Sequence, residues 1–249
     1  MSGHSKWATI KRKKGAKDAA RGKVFTRFIR EITIAARMGG GDPNGNPRLR
    51  TAIAAAKAAN MPNDNIDRAI KKGTGELEGT TIEEIIYEGY GPLGVAILVE
   101  VATDNRNRTA SDLRATFTKA GGSLGESHSV SFLFDRLGEV VYPVTVASAD
   151  AMFEAAAEAG ADDVESGGEQ HTITCDADDL NAVRDALERR FGPAQSAKLA
   201  WRPKTAAPVA GEAADALLKL LETLEDSDDV QTVYANFEMA DDVLQRLSA

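Results

Sequence analysis

The amino-acid sequence predicts an α+β protein in which a basic helical segment precedes two α/β modules. Up to about residue 75, apolar residues recur at three- and four-residue spacings, which is the period of amphipathic helices. After residue 80 come short apolar runs separated by glycine-rich turns, as in strands that alternate with helices. The charge changes at the same place. Residues 1–75 hold 17 Lys and Arg against 5 Asp and Glu, whereas the rest of the chain holds 13 against 33.

Composition limits the class of protein. A chain of 249 residues with 43% hydrophobic and 27% charged residues is typical of two or three globular domains. No apolar run is long enough for a membrane span, and the start lacks the apolar core of a secretion signal, although it is basic and poor in acids like a mitochondrial transit peptide. The single cysteine, Cys175, permits no internal disulfide, so we expect a reducing compartment, the cytoplasm.

The basic segment predicts three helices. The first carries one apolar stripe, formed by Val24, Phe25, Phe28, Ile29, Ile32 and Ala36. Gly39–Gly41 should end this helix, because glycine readily takes the left-handed conformation found just past a helix. The second should begin at Asn46-Pro47, a cap followed by a first-turn proline. After Met61-Pro62, Asn63 or Asp64 could cap the third, and two glycines should close the basic segment, Gly73 and Gly75.

The rest of the chain predicts two α/β modules. In the middle region the pattern gives strands at 82–88 and 95–102, a helix at 106–120 and a strand at 130–134. The region that follows reads as strand 139–144, helix 149–159, strands 162–166 and 170–175, helix 178–191 and strand 196–202. This βαββαβ order is that of a ferredoxin-like fold. Beyond a Pro- and Ala-rich connection at 205–211 come a helix (213–225), a strand (230–236) and a short helix (240–247). The middle region lacks a closing helix and strand, and the C-terminal segment supplies both.

We find no pattern of catalytic or metal-binding residues. The glycine-rich run from Gly39 to Pro47 has no Gly-Lys-Ser/Thr of a phosphate-binding loop, and Pro47 stands where a calcium loop needs glycine. The three histidines are far apart and lack ligand-like spacing to Cys175. We therefore expect a protein that is not an enzyme and that needs no cofactor or metal.

The run from Asp104 to Thr109 lies between a predicted strand and a predicted helix, and it has two interpretations. Arg106 and Arg108 at a helix start could bind phosphate, since exposed backbone amides favour anions there and guanidinium groups add forked donors. Alternatively, Asp104 or Asn105 caps the helix while the arginines pair with nearby acids.

The density of cations near the start predicts a nucleic-acid contact. Trp7 could stack on a base or bury its ring against the helices. No zinc-finger or RNA-recognition signature is present, so we expect recognition of the phosphate backbone and of shape. The predicted contacts are Lys6, Trp7, Lys11, Arg12, Lys13, Lys14, Lys17, Arg21, Lys23, Arg27 and Arg30, followed by Arg106 and Arg108.

Several motifs, in order, resemble the YebC/PmpR family, which includes the mitochondrial translational activator of cytochrome oxidase. The resemblance runs from residue 2 to the end of the chain. Its motifs are Gly3-His4-Ser5-Lys6-Trp7, Gly40-Gly41-Asp42-Pro43, Asn46-Pro47-Arg48-Leu49-Arg50, Tyr87-Glu88-Gly89-Tyr90-Gly91-Pro92, Asp104-Asn105-Arg106-Asn107-Arg108 and Asp228-Asp229-Val230-Gln231-Thr232-Val233-Tyr234.

The resemblance implies a helical domain and two ferredoxin-like domains, one interrupting the other. With the element order, it gives a basic helical domain at 1–78, a discontinuous module at 79–135 plus 208–249, and an inserted module at 136–207. It also implies that the start motif belongs to the folded protein, which favours a bacterial cytoplasmic member over one with a cleaved transit peptide.

Family members are described as DNA-binding transcriptional regulators, and others resemble translation factors that act on the ribosome. We therefore predict a non-enzymatic, nucleic-acid-binding regulator of gene expression, a DNA-binding regulator of transcription. The alternative is a ribosome-associated translation factor that binds ribosomal RNA. A protein–protein adaptor is a third interpretation, in which the acidic modules bind a basic protein partner.

Overall fold

The structure is a computed structural model that describes the backbone of residues 19–239 and the side chains of residues 22–239. Within that range the chain forms two compact units. The first contains the described residues up to Arg27, together with Thr80–Asp135 and the chain from Pro203 onward. The second contains Phe28–Gly79 and Arg136–Arg202. No helix in the described range is long and apolar enough to cross a membrane.

Helices and strands alternate after an all-helical start. The helices of the described range are α1 (Ala19–Gly39), α2 (Pro47–Ala58), α3 (Asn63–Thr74), α4 (Arg106–Lys119), α5 (Ala149–Glu158), α6 (Leu180–Phe191) and α7 (Glu212–Glu225). The strands are β1 (Glu83–Tyr90), β2 (Ala96–Thr103), β3 (Ser123–Leu124), β4 (Phe134–Pro143), β5 (Asp163–Gly167), β6 (Gln170–Asp176), β7 (Ser196–Pro203), β8 (Ala207–Pro208), β9 (Val230–Ala235) and β10 (Phe237–Glu238). Helices before antiparallel sheets confirm the predicted α+β class.

The N-terminal helices follow their sequence signals closely. Gly40, with a φ of 85°, ends α1 as predicted. Asn46 caps α2: its Oδ1 accepts the backbone N–H of Leu49 at 3.1 Å. The Nδ2 of the same side chain donates to the carbonyl oxygens of Ala35 and Gly40 at 2.7 and 2.9 Å. One buried amide therefore fixes the end of α1 against the start of α2.

Two expectations about these helices were wrong. Neither Asn63 nor Asp64 caps α3, because the helix begins at Asn63 after Pro62 and has no side-chain cap. Of the two glycines predicted to close the basic segment, Gly75 ends α3 with a φ of 82°, whereas Gly73 lies inside the helix, where the backbone of α1 approaches too closely to admit a side chain. The predicted stripe of α1 is also only part of its buried surface. Residues 32–36 are all buried, whereas Val24 is exposed.

The first unit has an antiparallel sheet in the order β3-β1-β2-β9. Alternate residues of β2, among them Val99 and Val101, pack in one core cluster with Leu113 and Phe117 of α4 and with the leucines of α7. Along the chain, the elements of this unit follow the order strand, strand, helix, strand, helix, strand. The last two of them are α7 and β9. This differs from the βαββαβ order, because β1 and β2 form a hairpin before the first helix.

The predicted strand at 130–134 was wrong. Ser131–Leu133 forms a 3₁₀ turn, and β4 begins only at Phe134. The apolar run Val130 to Phe134 looks like a strand because periodicity cannot identify the polar groups that fix a loop. Here the carboxylate of Glu88 binds the backbone of that loop.

The second unit contains a four-stranded sheet in the order β5-β6-β4-β7. Counted along βαββαβ, this is the strand order of a ferredoxin-like fold. Helices α5 and α6 cover one face, with Met152 and Leu187 packed in one cluster with Val140, Tyr142 and Ile173. The predicted strands and helices of this module are confirmed to within a few residues.

The connection predicted at 205–211 contains β8, which pairs in parallel with β10. The local sequence does not predict β8. A strand of two residues is defined by its pairing with β10, which lies far away in the sequence. The predicted short helix at 240–247 lies outside the described residues.

Candidate nucleic-acid interface

Most of the predicted phosphate contacts near the start lie outside the described residues. These are Lys6, Trp7, Lys11, Arg12, Lys13, Lys14 and Lys17. The backbone of Arg21 lies in α1, but its side chain also falls outside the description. Of the predicted arm contacts, the structure therefore describes the side chains of Lys23, Arg27 and Arg30, and Arg30 is half-buried with polar contacts of its own.

Lys23 and Arg27 lie one helical turn apart on α1 and both contact the C-terminal end of α7. Lys23 Nζ is 3.8 Å from Asp226 Oδ1, and both side chains are largely exposed. Arg27 Nη2 donates to the backbone carbonyl oxygen of Glu225. A guanidinium group at a helix C-terminus stabilises the unpaired carbonyl groups there.

Burial affects Arg27 more than its acidic neighbours do. Desolvation lowers the pKa of its guanidinium group, while the charges of Glu225, Asp226 and Asp228 act in the opposite direction. Arginine stays charged at any physiological pH. The lowered pKa therefore means that this partly buried position stabilises the cation less well than water does.

In the segment Asp104–Thr109 the structure shows a helix cap and an ion-paired Arg108. Asn105 Oδ1 accepts the backbone N–H of Arg108 at 3.1 Å and so caps α4. Arg108 Nη2 pairs with Asp104 at 3.0 Å and with Asp229 at 3.1 Å. Asp229, by hydrogen bonding and by charge, and then Asp104 raise the pKa of Arg108. Arg106 is exposed, and its carbonyl oxygen accepts the hydroxyl of Tyr87 at 3.2 Å.

Asp229 is the centre of a buried polar network. Its Oδ2 accepts the hydroxyl of Thr109 at 2.6 Å and lies 3.4 Å from that of Thr103. Its backbone carbonyl accepts the N–H of Ala102. The network joins the end of β2, the start of α4 and the start of β9, so Asp229 and Arg108 have a structural role whatever else they bind.

The two predicted sites thus meet at one segment of the first unit. We call residues 225–229, with the sequence Glu-Asp-Ser-Asp-Asp, the acidic turn. Three cations predicted to bind phosphate contact it within the described structure, namely Lys23, Arg27 and Arg108. No local pattern could predict this arrangement, because the partners lie 121 to 203 residues apart in the sequence.

Four exposed cations of the structure lie outside the set of predicted contacts. Arg68, Lys71 and Lys72 follow one another at helical spacing on α3, and Gly73 brings the end of α3 against the backbone of Arg37. The side chains of these three residues and of Arg37 are exposed. None of the four forms an ion pair within residues 22–239. By contrast, Arg48 pairs with Glu31, and Arg50 pairs with Glu188 of α6 at 3.3 Å. The spacing i, i+3, i+4 was the signal that could have identified the α3 cations.

The motif around Glu88 builds a loop rather than a reactive site. Its carboxylate accepts the backbone N–H groups of His128, Val130 and Ser131 at 2.7 to 2.8 Å. Burial alone would raise the pKa of Glu88, but these hydrogen bonds outweigh it and the pKa is lowered. Tyr90 donates its hydroxyl to the carbonyl oxygen of Ser129, at the same loop.

The described residues contain no group of three His, Cys, Asp or Glu side chains arranged for a metal. His171 is buried with both ring nitrogens within hydrogen-bonding distance of polar partners, Ser166 Oγ at 2.7 Å and the carbonyl oxygen of Ala147 at 3.0 Å. Burial raises the pKa of the Cys175 thiol to about 11, so this cysteine is a weak nucleophile. Hydrogen bonding explains the burial of His171, and packing in the core explains that of Cys175.

Fold and charge together define a modular α+β protein whose cationic helices precede two antiparallel sheets covered by helices. The sequence places it more exactly. Residues 5–76 match the model described as "TACO1/YebC protein N-terminal domain", and residues 82–237 match that described as "TACO1/YebC second and third domain". The chain belongs to the TACO1/YebC family, as the motif resemblance predicted.

Similar proteins carry regulatory names. The chain is 56% identical over 247 residues to a "probable transcriptional regulatory protein" of Geobacter sp. strain M21, covering 99% of this chain and 100% of the relative. A protein of the same description from Geobacter sulfurreducens matches with the same identity and coverage. Among solved structures, a conserved hypothetical protein from Aquifex aeolicus matches with a TM-score of 0.85 and 51% identity, over 92% of this chain and 94% of that one.

Proposed function

We propose that this protein is a non-enzymatic regulator of gene expression that binds the phosphate backbone of DNA through its basic N-terminal helices. The observation that carries the proposal is the segregation of charge, with a formal +12 on residues 1–75 and −20 on the remainder. Ordinary surfaces intersperse the two signs. A segment with this excess of cations therefore favours a polyanionic partner. The regulatory names of the relatives support the transcriptional part of the proposal.

The described cations fit contact with the phosphate backbone better than they fit the reading of bases. Within the described residues the exposed cations of α3 and of the end of α1 are lysines and arginines, of which Arg37, Lys71 and Lys72 lie in the last turn of their helix. Such side chains can contact the phosphate backbone whatever the base sequence. We propose that Arg37, Arg68, Lys71 and Lys72, all in the second unit, are additional phosphate contacts. Like-charge repulsion would keep most of the acidic surface away from the polymer.

The salt dependence of DNA binding tests this proposal. If about six phosphates are contacted, log affinity for duplex DNA should fall against log salt with a slope of about −5. Reversing the charges of Lys11, Arg12, Lys13 and Lys14 to Glu should flatten that slope. The slope is measured by fluorescence anisotropy of a labelled duplex over a salt series.

A matched control reverses four exposed cations outside the proposed surface, Arg114, Lys119, Arg202 and Lys219. Both variants change the net charge equally, so a specific contact requires the larger effect at Lys11–Lys14. Equal slopes for wild type and the Lys11–Lys14 variant would remove that segment from the interface.

The kind of nucleic acid is tested by ultraviolet crosslinking in cells, followed by sequencing of the bound DNA and RNA. We expect reads concentrated at promoters. Reads concentrated in ribosomal RNA would overturn the DNA part of the proposal and identify a translation factor anchored by the same cations, because structured RNA is recognised through phosphates and shape.

A further inference from the structure

The acidic turn already holds cations that the sequence predicts to contact nucleic acid. Lys23 contacts Asp226, Arg27 contacts the carbonyl oxygen of Glu225, and Arg108 contacts Asp229. All three contacts lie within the first unit. A carboxylate or carbonyl oxygen and a phosphate oxygen accept from the same N–H groups, so one cation cannot give the same donors to both.

We propose that the acidic turn is a built-in competitor of nucleic acid, which holds Lys23 and Arg27 in the free protein and releases them to phosphates on binding. The proposal rests on the proposed function, since it concerns the same cations. It adds a regulatory contact, because the affinity for the polymer is then set partly by how firmly the turn holds α1.

The contact of Lys23 suits release. Its ammonium nitrogen lies 3.8 Å from the Asp226 carboxylate, and the two side chains are 44% and 62% exposed. Exposed ion pairs of this kind stabilise a structure weakly and are screened by salt. Nucleic acid that presents several phosphates at once can therefore replace Asp226 easily.

Arg27 is held differently. Its guanidinium donates to the backbone of Glu225 at the C-terminal end of α7, while Asp226 and Asp228 lie near enough to favour its charge. Its Nε is buried and has no partner among the described residues. A guanidinium with an unused buried donor stands to gain a hydrogen bond by moving to a phosphate.

Arg108 is not among the cations that we propose to be released to phosphates. Asp229 also accepts from Thr109 and holds the start of α4, so losing its contacts would disturb the fold. The exchange is therefore assigned to Lys23 and Arg27, and it is tested at the exposed acids Asp226 and Asp228, which leaves the Asp229 network intact.

The test is the double variant Asp226→Asn/Asp228→Asn in the full chain, with a short duplex DNA of mixed sequence and a duplex RNA of the same sequence as probes. Removing the competitor should tighten binding by about three- to tenfold, the range expected for one or two exposed ion pairs. Binding is measured by anisotropy at low and moderate salt, and urea unfolding checks that the fold is intact.

Removing any two acids weakens general repulsion, so the matched control is Asp112→Asn/Glu126→Gln. Both residues are exposed acids of the same unit, and the control makes the same change in net charge. We expect it to tighten binding by less than about twofold. In a Lys23→Gln background the gain from Asp226→Asn/Asp228→Asn should shrink, because Lys23 is one of the cations to be released.

The outcomes separate the two proposals. Equal gains in the test and control variants, or a full gain in the Lys23→Gln background, would overturn the competitor while leaving nucleic-acid binding in place. If neither wild type nor any variant binds either probe at low salt, the proposed function fails and the competitor fails with it.

Discussion

At the residue scale, Glu88 couples the end of β1 to the loop before β4. The carboxylate is buried, and three backbone N–H groups from residues 128–131 point at it. His128 takes a positive φ of 68° in this loop, a conformation that needs support in a residue other than glycine. The carboxylate supplies that support by accepting the N–H of His128 itself and those of Val130 and Ser131.

We expect Glu88→Gln to lower the free energy of unfolding by about 1.5–3 kcal/mol, because hydrogen bonds to a charged acceptor are lost and an amide N–H₂ faces N–H donors. Glu83→Gln, at an exposed position on the same strand, should change it by less than about 0.5 kcal/mol. Urea unfolding at neutral pH measures both. A small effect at Glu88 would mean that the loop is ordered by other contacts.

The same carboxylate gives a pH dependence. Because the pKa of Glu88 is lowered in the folded protein, its stabilisation is fully present above the unfolded pKa of about 4.3 and is lost as the pH falls through the lower folded pKa. Below pH ~4 the difference between wild type and Glu88→Gln should therefore shrink. A difference that stays constant into acid would contradict this assignment.

At the element scale, the packing of α1 on α3 depends on one glycine. A Cβ at Gly73 would come within 2.7 Å of the Ala36 Cβ and would overlap the carbonyl oxygen of Thr33. The hydroxyl of Thr33 lies 2.7 Å from the carbonyl oxygen of Ile29 in α1 and 3.2 Å from that of Ala69 in α3. The two helices meet backbone to backbone, so the missing side chain is a packing requirement.

Gly73→Ala should therefore destabilise the protein by about 1–3 kcal/mol through overpacking, although alanine is the better helix former by about 1 kcal/mol. Gly22→Ala in α1 is the matched control, since nothing lies within 4 Å of the added carbon. There the gain in helix propensity should appear by itself. Thermal unfolding compares the two, and a stabilising Gly73→Ala would show that α1 and α3 separate easily.

At the scale of the whole molecule, the predicted insertion has a geometric basis. The chain leaves the first unit after Asp135 and returns at Pro203. At that point Lys204 Nζ lies 3.4 Å from Asp135, and the backbone N–H of Lys204 donates to the carbonyl oxygen of Leu133. The two ends of the intervening segment are therefore adjacent, as an inserted domain requires. The exact domain boundaries remain a prediction.

We expect residues 80–249 with 136–202 replaced by a short Gly/Ser linker to retain a cooperative urea transition, because the core of α4, α7 and the first sheet lies outside the removed segment. Circular dichroism and urea unfolding measure this. The same shortened chain carrying Phe117→Asp should fail to fold, since Phe117 is fully buried in that core. A broad, non-cooperative transition in the shortened chain itself would show that the two units fold together.

Most of the helices and strands, the family and the charge asymmetry follow from the sequence alone. The helices and strands can be predicted where they depend on neighbours within a few residues: the cap at Asn46, the glycine after α1 and the alternation in β2 each act locally. The wrong strand at 130–134 has a cause that is not local, since the carboxylate that binds the backbone of this apolar run belongs to Glu88, 42 residues away.

Which charges meet depends on how distant segments pack together. The sequence placed Lys23, Arg27 and Arg108 among the candidate cations, but the acidic turn that they share lies 121 to 203 residues away. Likewise, nothing local distinguishes Gly73, inside a helix, from a glycine that ends one. Contacts between distant segments depend on how whole elements pack, and the energy of an ion pair or a close approach depends on distance and burial. Neither this distance nor this burial can be derived from the order of neighbouring residues.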